Sequence, residues 1–351
     1  MNRIFKLLIV SSAVAAGSGL LGGCSLYWPD SQDSDDDGGP APDAAPPSGQ
    51  KPPANPPGQK PPVDPSGPVD PAPNVPADLA NRWLAFDSDR GSFNRDIYLV
   101  RGDGTHLTRL TTEPSFERDP AFSHDGAVLA FASDRSGSMQ IYAMDLACGA
   151  VKQLTFLAAG ADQPSWSADD SMLIFHSGPS VYVMAADGSN PEVLATGLDD
   201  FNAYKYPSFS ANGTEAMFSR NNEIDAQMID GGSQRYVVQN WTTTEETPAL
   251  SPDGRLVAYA VGCDGLEVIA VTPFSGYAYD PCKTQRVTPL SAGAARRPAW
   301  AGNTALAFER GAPTAVISIS TAPGNRPIDI VGPPGDHRDP NWAPVGFRPS
   351  H

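Results

Sequence analysis

The sequence contains few of the residues from which catalytic and metal sites are most often built. Only five histidines occur in 351 residues, and none has the short His-x-x-x-His spacing of many zinc sites. No Gly-x-Ser-x-Gly motif is present, which excludes the nucleophile elbow of the propeller-plus-hydrolase peptidases. We therefore predict that the protein is not an enzyme and that it holds no cofactor and no metal.

Basic residues are also scarce. Lys and Arg number 24 against 40 Asp and Glu, for a formal charge of -16. Nucleic-acid binding requires a basic surface that neutralises phosphates, so this composition opposes it. The same balance disfavours broad contact with an anionic membrane surface.

No apolar run is long enough to span a bilayer. The apolar stretch at residues 7–17 follows Arg3 and Lys6 and ends in small residues, which is typical of a signal peptide. The sequence Leu-Gly-Gly-Cys at residues 21–24 resembles a bacterial lipobox and implies cleavage before Cys24 and lipidation there. An ordinary signal peptide with a coincidental cysteine is the alternative. Because Ser25 rather than an aspartate follows Cys24, we predict an outer-membrane lipoprotein, on the periplasmic side rather than at the cell surface.

Aromatic and branched residues are almost absent from the segment after the signal peptide. Residues 24–80 are first acidic and then rich in proline, so they cannot bury enough surface to fold. We divide the chain into a signal peptide (1–23), a disordered linker (24–80) and a folded domain (81–347). The linker is either a spacer, whose roughly 50 Pro-rich residues from 29 to about 78 reach about 150 Å at most at 3.1 Å per residue, or a partner-binding segment.

The rest of the chain contains a repeated sequence pattern. A proline, one residue, a large apolar residue and a small residue recur at Pro120, Pro164, Pro207, Pro248, Pro298 and Pro340, with spacings of 44, 43, 41, 50 and 42 residues. Each phrase precedes a turn and short apolar runs that read as strands. A period in the forties with strand content predicts an all-β, six-bladed propeller of four-stranded blades.

The two ends of the repeat array complement each other. The first repeat, from Trp83, lacks the strand that carries the proline phrase, and the last phrase, at Pro340, lacks the strands that should follow it. We predict that the C-terminal strand, residues 339–343, completes the first blade and closes the ring, which removes exposed sheet edges.

The repeat resembles a known family. The second repeat reads Phe-Ser-x-Asp-Gly-x-x-Leu-Ala-Phe at residues 122–131, then Ser-Asp-Arg at 133–135 and Ile-Tyr-x-Met at 141–144. This pattern is similar to the TolB-type, WD40-like propeller repeat, and the resemblance covers about residues 83–344. It implies a propeller that binds protein partners in the bacterial cell envelope. The α/β domain that precedes the propeller in TolB has no counterpart, since a Pro-rich tract occupies that place.

The resemblance also indicates which face binds. The loops that enter the proline-bearing strands, and the turns between second and third strands, open on one face. We predict a ring of mixed charge there, in which positive residues are in the majority. The candidate residues are Arg118, Asp162, Tyr204, Lys205, Glu246, Arg296, His337 and Arg338. The alternative is a solvated ring of ion pairs, each worth about 1 kcal/mol or less.

The sequence contains a possible metal site and a possible disulfide. His176 and His337, with Asp162 or Glu246, could hold a divalent metal, as in a propeller lyase or lactonase. Cys263 and Cys282 both fall in the fifth repeat, where a disulfide could brace the insertion at residues 272–283 if that loop folds back.

The sequence thus predicts a membrane-tethered periplasmic scaffold for an envelope protein partner, which lacks nucleic-acid binding. The alternative is a carbohydrate-binding propeller or a metal-dependent polysaccharide lyase, for which a glycan or small molecule would be the ligand.

Overall fold

The computed structural model describes residues 71–349 apart from gaps at 73, 92–93, 199–202, 222, 240–244, 276–281, 283–285, 312–313 and 322. The predicted signal peptide, Cys24 and residues 24–70 of the predicted linker lie outside the described residues. Within the described part of the chain, no helix is long and apolar enough to cross a membrane.

Six antiparallel sheets form the blades of a closed propeller. Blade 1 contains β1 (Trp83–Ser88), β2 (Asp96–Arg101) and β3 (Thr108–Arg109), and blade 2 contains β4 (Glu117–Phe122), β5 (Val128–Ser133), β6 (Gln140–Asp145) and β7 (Val151–Gln153). Blade 3 contains β8 (Asp162–Trp166), β9 (Met172–Ser177), β10 (Ser180–Ala185) and β11 (Glu192–Thr196). Blade 4 contains β12 (Lys205–Phe209), β13 (Glu215–Arg220), β14 (Glu223–Met228) and β15 (Gln234–Val238).

Blade 5 contains β16 (Glu245–Leu250), β17 (Leu256–Cys263) and β18 (Leu266–Pro273). Blade 6 contains β19 (Ala295–Ala301), β20 (Ala305–Arg310), β21 (Val316–Ser320) and β22 (Ile328–Val331), and β23 (His337–Trp342) follows. The inner strands β4, β8, β12, β16, β19 and β23 each contact the next around the ring, as a central axis requires.

The predicted closure is confirmed. Strand β23 pairs antiparallel with β1, with Leu84 opposite Trp342 and Ser88 opposite His337. The C-terminal strand is therefore the inner strand of blade 1, and the ring has no open edge at this junction.

In blade 5 the outer strand is reduced to a single bridge. Its sheet has three strands among the described residues, and the place of a fourth is taken by an isolated bridge between Ala270 and Arg286. The insertion after β18 folds back, and Cys263 and Cys282 form a disulfide with their Cα atoms 5.6 Å apart. The long repeat spacing thus reflects a covalently held loop in place of a regular outer strand.

The core lies between blades and repeats with them. One large ring from the second strand of each blade is fully buried, namely Phe86, Phe131, Phe175, Phe218, Tyr259 and Phe308. Each inner strand begins at one face, here called the entry face, and ends at the opposite one, the exit face. The loops that contain Phe116, Phe156 and Leu198 lie at the entry face, and the turns after the inner strands, such as that at Pro252, lie at the exit face.

The segment before β1 packs on the exit face. Helix α1 (Ala77–Ala80) buries Leu79, and the Ala72 N–H donates to the Asp103 carbonyl at 2.7 Å. A Cβ at Gly102 would lie 2.2 Å from the Leu79 carbonyl oxygen, so this close approach requires glycine. Ala72 and residues 74–80, which the sequence analysis places in the linker, thus pack against the propeller.

Candidate binding site at the channel mouth

All six inner strands contain the same backbone irregularity. The residue before each proline has a positive φ of 51–55°, and the strand pairing shifts register beside it. Positive φ is uncommon for residues other than glycine, so a sixfold recurrence marks a designed bulge. These residues line the central channel: Asp119, Gln163, Tyr206, Thr247, Arg297 and Asp339.

The bulged residues link neighbouring blades. The Tyr206 N–H donates to the Gln163 side chain at 2.7 Å, and the Gln163 N–H donates to Asp119 at 3.3 Å. Across the ring, the Arg297 guanidinium lies 2.5 Å from Asp339 and 3.1 Å from Glu309. The channel is therefore crossed by polar contacts from blade to blade.

The predicted ring two residues before each proline lies at the entry rim, and its members differ in exposure. Lys205 and Glu246 are exposed, and the exposed Arg296 pairs with Glu267. Arg118 pairs with Asp162 at 2.7 Å, and Asp162 also bonds His176 Nδ1 at 2.7 Å. Arg338 pairs with Asp336 at 2.7 Å. Much of the predicted ring is thus the set of surface ion pairs that the alternative interpretation describes.

Two of the predicted residues are buried and cannot present a binding surface. Tyr204 is packed edge-on against Phe218, and its hydroxyl accepts a hydrogen bond from Arg220. His337 is fully buried: Nδ1 lies 2.8 Å from Ser88 Oγ and Nε2 lies 3.1 Å from the Gly332 carbonyl. Both ring nitrogens are hydrogen-bonded near the junction between β23 and β1. His337 was predicted to lie in an entry loop, but it is the first residue of strand β23.

The metal alternative finds no support in the geometry. Both ring nitrogens of His337 are hydrogen-bonded at the blade-1 junction, and Nδ1 of His176 is bonded to Asp162. Among the residues that the structure describes, no group of three or more His, Cys, Asp or Glu side chains could hold a metal ion.

The entry end of the channel opens into a cavity of about 330 Å³. Two predicted residues, Arg118 and Arg338, line it together with two that the sequence analysis missed, Arg95 and Arg297. The remaining lining residues are Asp87, Phe116, Asp134, Met139 and Asp339. We call this cavity the channel mouth. Four arginines and three aspartates line it, and Asp162 and Asp336 outside the lining pair with three of these arginines.

All four arginines of the mouth form ion pairs. Arg95 binds both Asp87 and Asp336, which joins β1 and β2 to the loop before β23. Arg118 and Arg338 are freer, with side chains 42% and 43% exposed. These two guanidiniums are the cations that an incoming ligand would meet first.

An aromatic ring is presented beside these cations. Phe116 is 49% exposed, and its N–H donates to Asp134 at 2.8 Å. Asp134 belongs to the Ser-Asp-Arg turn of blade 2, in which Arg135 bonds Glu117 at 2.7 Å. The repeated turn therefore has a structural role and also positions Phe116 at the mouth.

The carboxyl groups below the mouth have raised pKa values. Burial raises the pKa of Asp119 well above its usual value, and the Asp339 and Asp162 carboxylates raise it further. Burial likewise raises the pKa of Asp339, although Arg297 opposes this, and burial raises the pKa of Asp87. Burial lowers the pKa of Arg297, but Asp339 and Glu309 outweigh it and leave that pKa raised.

Sequence comparison agrees with this architecture. Residues 72–224 match a family model described as the TolB beta propeller domain. The propeller is TolB-like. A protein TolB homolog of Chlorobium luteolum is 37% identical over 81 residues, which is 23% of this chain and 17% of that protein. The Tol-Pal system protein TolB of Francisella tularensis is 26% identical over 188 residues, or 51% of this chain and 42% of the relative. This chain thus spans less than half the length of either relative.

Solved structures share the fold at low identity. TolB from Acinetobacter baumannii superposes with a TM-score of 0.63 at 18% identity, over 78% of this chain and 69% of that one. Hydrazine synthase from Kuenenia stuttgartiensis has a TM-score of 0.61 at 15% identity, over 77% of this chain and 47% of that one. Proteins with different names share this propeller, so the fold alone does not assign a function.

Proposed function

We propose that this TolB-like propeller is a binding scaffold of the cell envelope, tethered in the periplasm through a lipid on Cys24, and that a protein partner docks on its channel mouth. The observation that carries the proposal is the cluster of four arginines around Phe116 in a chain whose formal charge is -16. Guanidiniums presented at a cavity in this way favour a partner that presents carboxylates.

Exposed apolar side chains extend this surface. Phe116, Phe156 and Leu198 are 49%, 78% and 93% exposed and lie on the entry loops of blades 2, 3 and 4. Large apolar residues beside arginines are the composition of protein interfaces. The surface that we assign to the partner therefore runs from the channel mouth outward over these three loops.

The relatives support the same class of function. The Francisella protein that shares 188 aligned residues bears a name that places it in the Tol-Pal system. A role in that type of envelope assembly is proposed here for the propeller, whereas the partner's identity is left to experiment.

The test is charge reversal at the mouth. Photo-cross-linking in cells from position 116, followed by mass spectrometry, identifies the partner. Arg118→Glu and Arg338→Glu should then each weaken its binding about tenfold or more, mainly through the association rate and with a reduced salt dependence.

The matched control is Arg255→Glu, because Arg255 is 84% exposed in an exit-face turn and its replacement makes the same change in net charge. Arg118→Gln separates loss of charge from repulsion, and thermal unfolding checks that each variant is folded. Equal loss of binding in Arg255→Glu would reduce the effect to net charge and refute a site at the mouth.

The anchor is tested separately. Cys24→Ala should abolish labelling with palmitate and release the protein from the membrane fraction, while partner binding by the purified chain stays unchanged. Persistent labelling of the Cys24→Ala variant would refute lipidation at this residue.

A further inference from the structure

The exit end of the channel forms a second cavity, which the proposed function does not use. It has a volume of about 560 Å³, and its walls contain the large side chains of the inner strands, Phe122, Trp166, Phe209, Trp300 and Trp342. Val345, 86% exposed, and Pro252 lie at its rim. We call this cavity the exit funnel. A concave, mostly apolar cavity of a few hundred Å³ has the shape of a ligand site.

The floor of the funnel is polar. It is formed by the bulged residues of the inner strands, among them Asp119, Asp339 and Arg297. Arg297 and Asp339 line the channel mouth as well, so their ion pair separates the two cavities. The two carboxylates lie at the bottom of an apolar funnel, where a cationic group on an otherwise apolar ligand would be favoured.

The chain itself approaches the propeller on this face. Ala72 and residues 74–82 pack at the exit face, and Arg82 both lines the funnel and donates to the Ala343 carbonyl at 2.9 Å. The Gly102 N–H donates to the Arg82 carbonyl at 2.8 Å. The residues upstream of Pro71 therefore join the propeller on the same face as the opening of the funnel.

The upstream segment contains a repeated cationic proline motif. The sequence Gly-Gln-Lys-Pro-Pro occurs at residues 49–53 and again at 58–62. Proline-rich segments pre-form an extended helix with little entropy left to lose, and grooves walled by aromatic side chains bind them. The lysine in each copy, Lys51 or Lys60, supplies the cation that the floor favours.

The second copy is within reach of the funnel. Pro62 lies ten steps along the chain from Ala72, and ten steps span about 31 Å in an extended proline-rich conformation. Ala72 is bonded to the β2–β3 hairpin, and that hairpin lies about three strand spacings, or roughly 14 Å, from the inner strand. The tether is thus about twice as long as the path across the blade.

We propose that the exit funnel is the docking site for the chain's own Lys-Pro-Pro segment at residues 58–62. The prolines pack on the apolar wall, and Lys60 extends toward Asp119 and Asp339. Docking covers the funnel and shortens the tether, and it leaves the channel mouth on the opposite face free. This inference does not depend on the identity of any partner.

A weak site is sufficient for this arrangement. A short tether gives an effective concentration of about 1 mM, so an intrinsic Kd of about 100 μM would hold the segment docked about ten times more often than free. The same segment supplied as a separate peptide would bind only at high concentration.

The test uses the full mature chain with a benzophenone amino acid at Val345, on the rim of the funnel. Irradiation should join position 345 to the peptide around residues 58–62, within one chain and independently of protein concentration. Replacing residues 58–62 by Gly and Ser at constant length should reduce this product about tenfold. Lys60→Glu should also reduce it, whereas Lys205→Glu, on the entry face, should not.

The control probe is benzophenone at Leu198, which is 93% exposed on the entry face and should give no product with residues 58–62. The proposal is overturned if position 198 captures the segment as well as position 345 does, or if the Gly and Ser replacement leaves the yield unchanged. Products that join two chains and rise with concentration would assign the funnel to a second copy and equally overturn it.

Discussion

Acidification should destabilise this propeller through His337. The imidazole is fully buried where β23 closes the ring against β1. Nε2 lies 3.1 Å from the Gly332 carbonyl and must donate to it, so Nδ1 accepts from the Ser88 hydroxyl at 2.8 Å in the neutral form. A second proton on Nδ1 would require the Ser88 hydroxyl to turn its hydrogen away and accept from the ring, beside the bond that Ser88 Oγ already accepts from the Arg90 N–H.

The magnitude follows from the pKa. Burial, aided by the nearby Arg90 charge, lowers the pKa of His337 from 6.5 to about 4, against smaller opposing effects of Gly332, Asp89 and Asp336. The unfolded chain therefore takes up a proton near pH 6.5 that the folded chain refuses until about pH 4. Each pKa unit is worth about 1.36 kcal/mol, so the stability present above pH 6.5 falls by about 3 kcal/mol between pH 6.5 and pH 4.

The assay compares the wild type with His337→Gln by urea unfolding at a series of pH values, followed by tryptophan fluorescence. Glutamine keeps a donor and an acceptor but does not titrate, so its variant should be less stable at pH 7 and less sensitive to acid. The raised pKa values of Asp87, Asp119 and Asp339 act in the opposite sense, but they act in both proteins and cancel in the difference. If the difference in unfolding free energy is constant from pH 6.5 to pH 4, the reasoning is refuted.

Two further predictions concern how the ring is held. Deleting the chain after Asp336 removes the inner strand of blade 1 and should abolish cooperative thermal unfolding. A control truncated after Phe347 keeps the Phe122 contact and should melt like the full chain. Similar melting of both truncations would contradict the closure. Replacing Cys263 and Cys282 together by serine opens a loop of 19 residues and should lower the unfolding free energy by about 3 kcal/mol, measured by urea titration without reductant. An unchanged midpoint would show that the loop is held by packing alone.

The sequence was sufficient to predict the blades because their repeat is carried by local signals. The proline phrase marks each inner strand, the Asp-Gly and Asn-Gly turns mark the hairpins, and the unpaired phrase at Pro340 predicts the closure. The fifth blade was harder, because the disulfide between Cys263 and Cys282 depends on how a long loop folds back. Spacing along a strand suggested that the two cysteines were far apart, and only the folded loop brings them together.

The sequence predicted only part of the candidate site. The entry loops supplied Arg118 and Arg338, both of which line the channel mouth. Arg95 and Met139 come instead from the turns between second and third strands, which open on the same face. Those turns were identified as part of the binding face, but the candidate residues were taken from the entry loops, so Arg95 and Met139 were missed.

The other error in the predicted ring has its origin in the φ angle of the residue before each proline. The predicted ring took the entry-loop residue two before each proline, which includes Arg118 and Arg296. The positive φ before each proline inserts a bulge, and a slip of one residue exchanges the faces. Arg297 and Asp339 consequently line the channel, while Arg296 is exposed and pairs with Glu267. No local sequence signal announces this bulge, because a residue before proline ordinarily prefers extended backbone. Only the closed ring, in which six strands converge on one axis and exchange hydrogen bonds through these residues, makes the unusual conformation favourable.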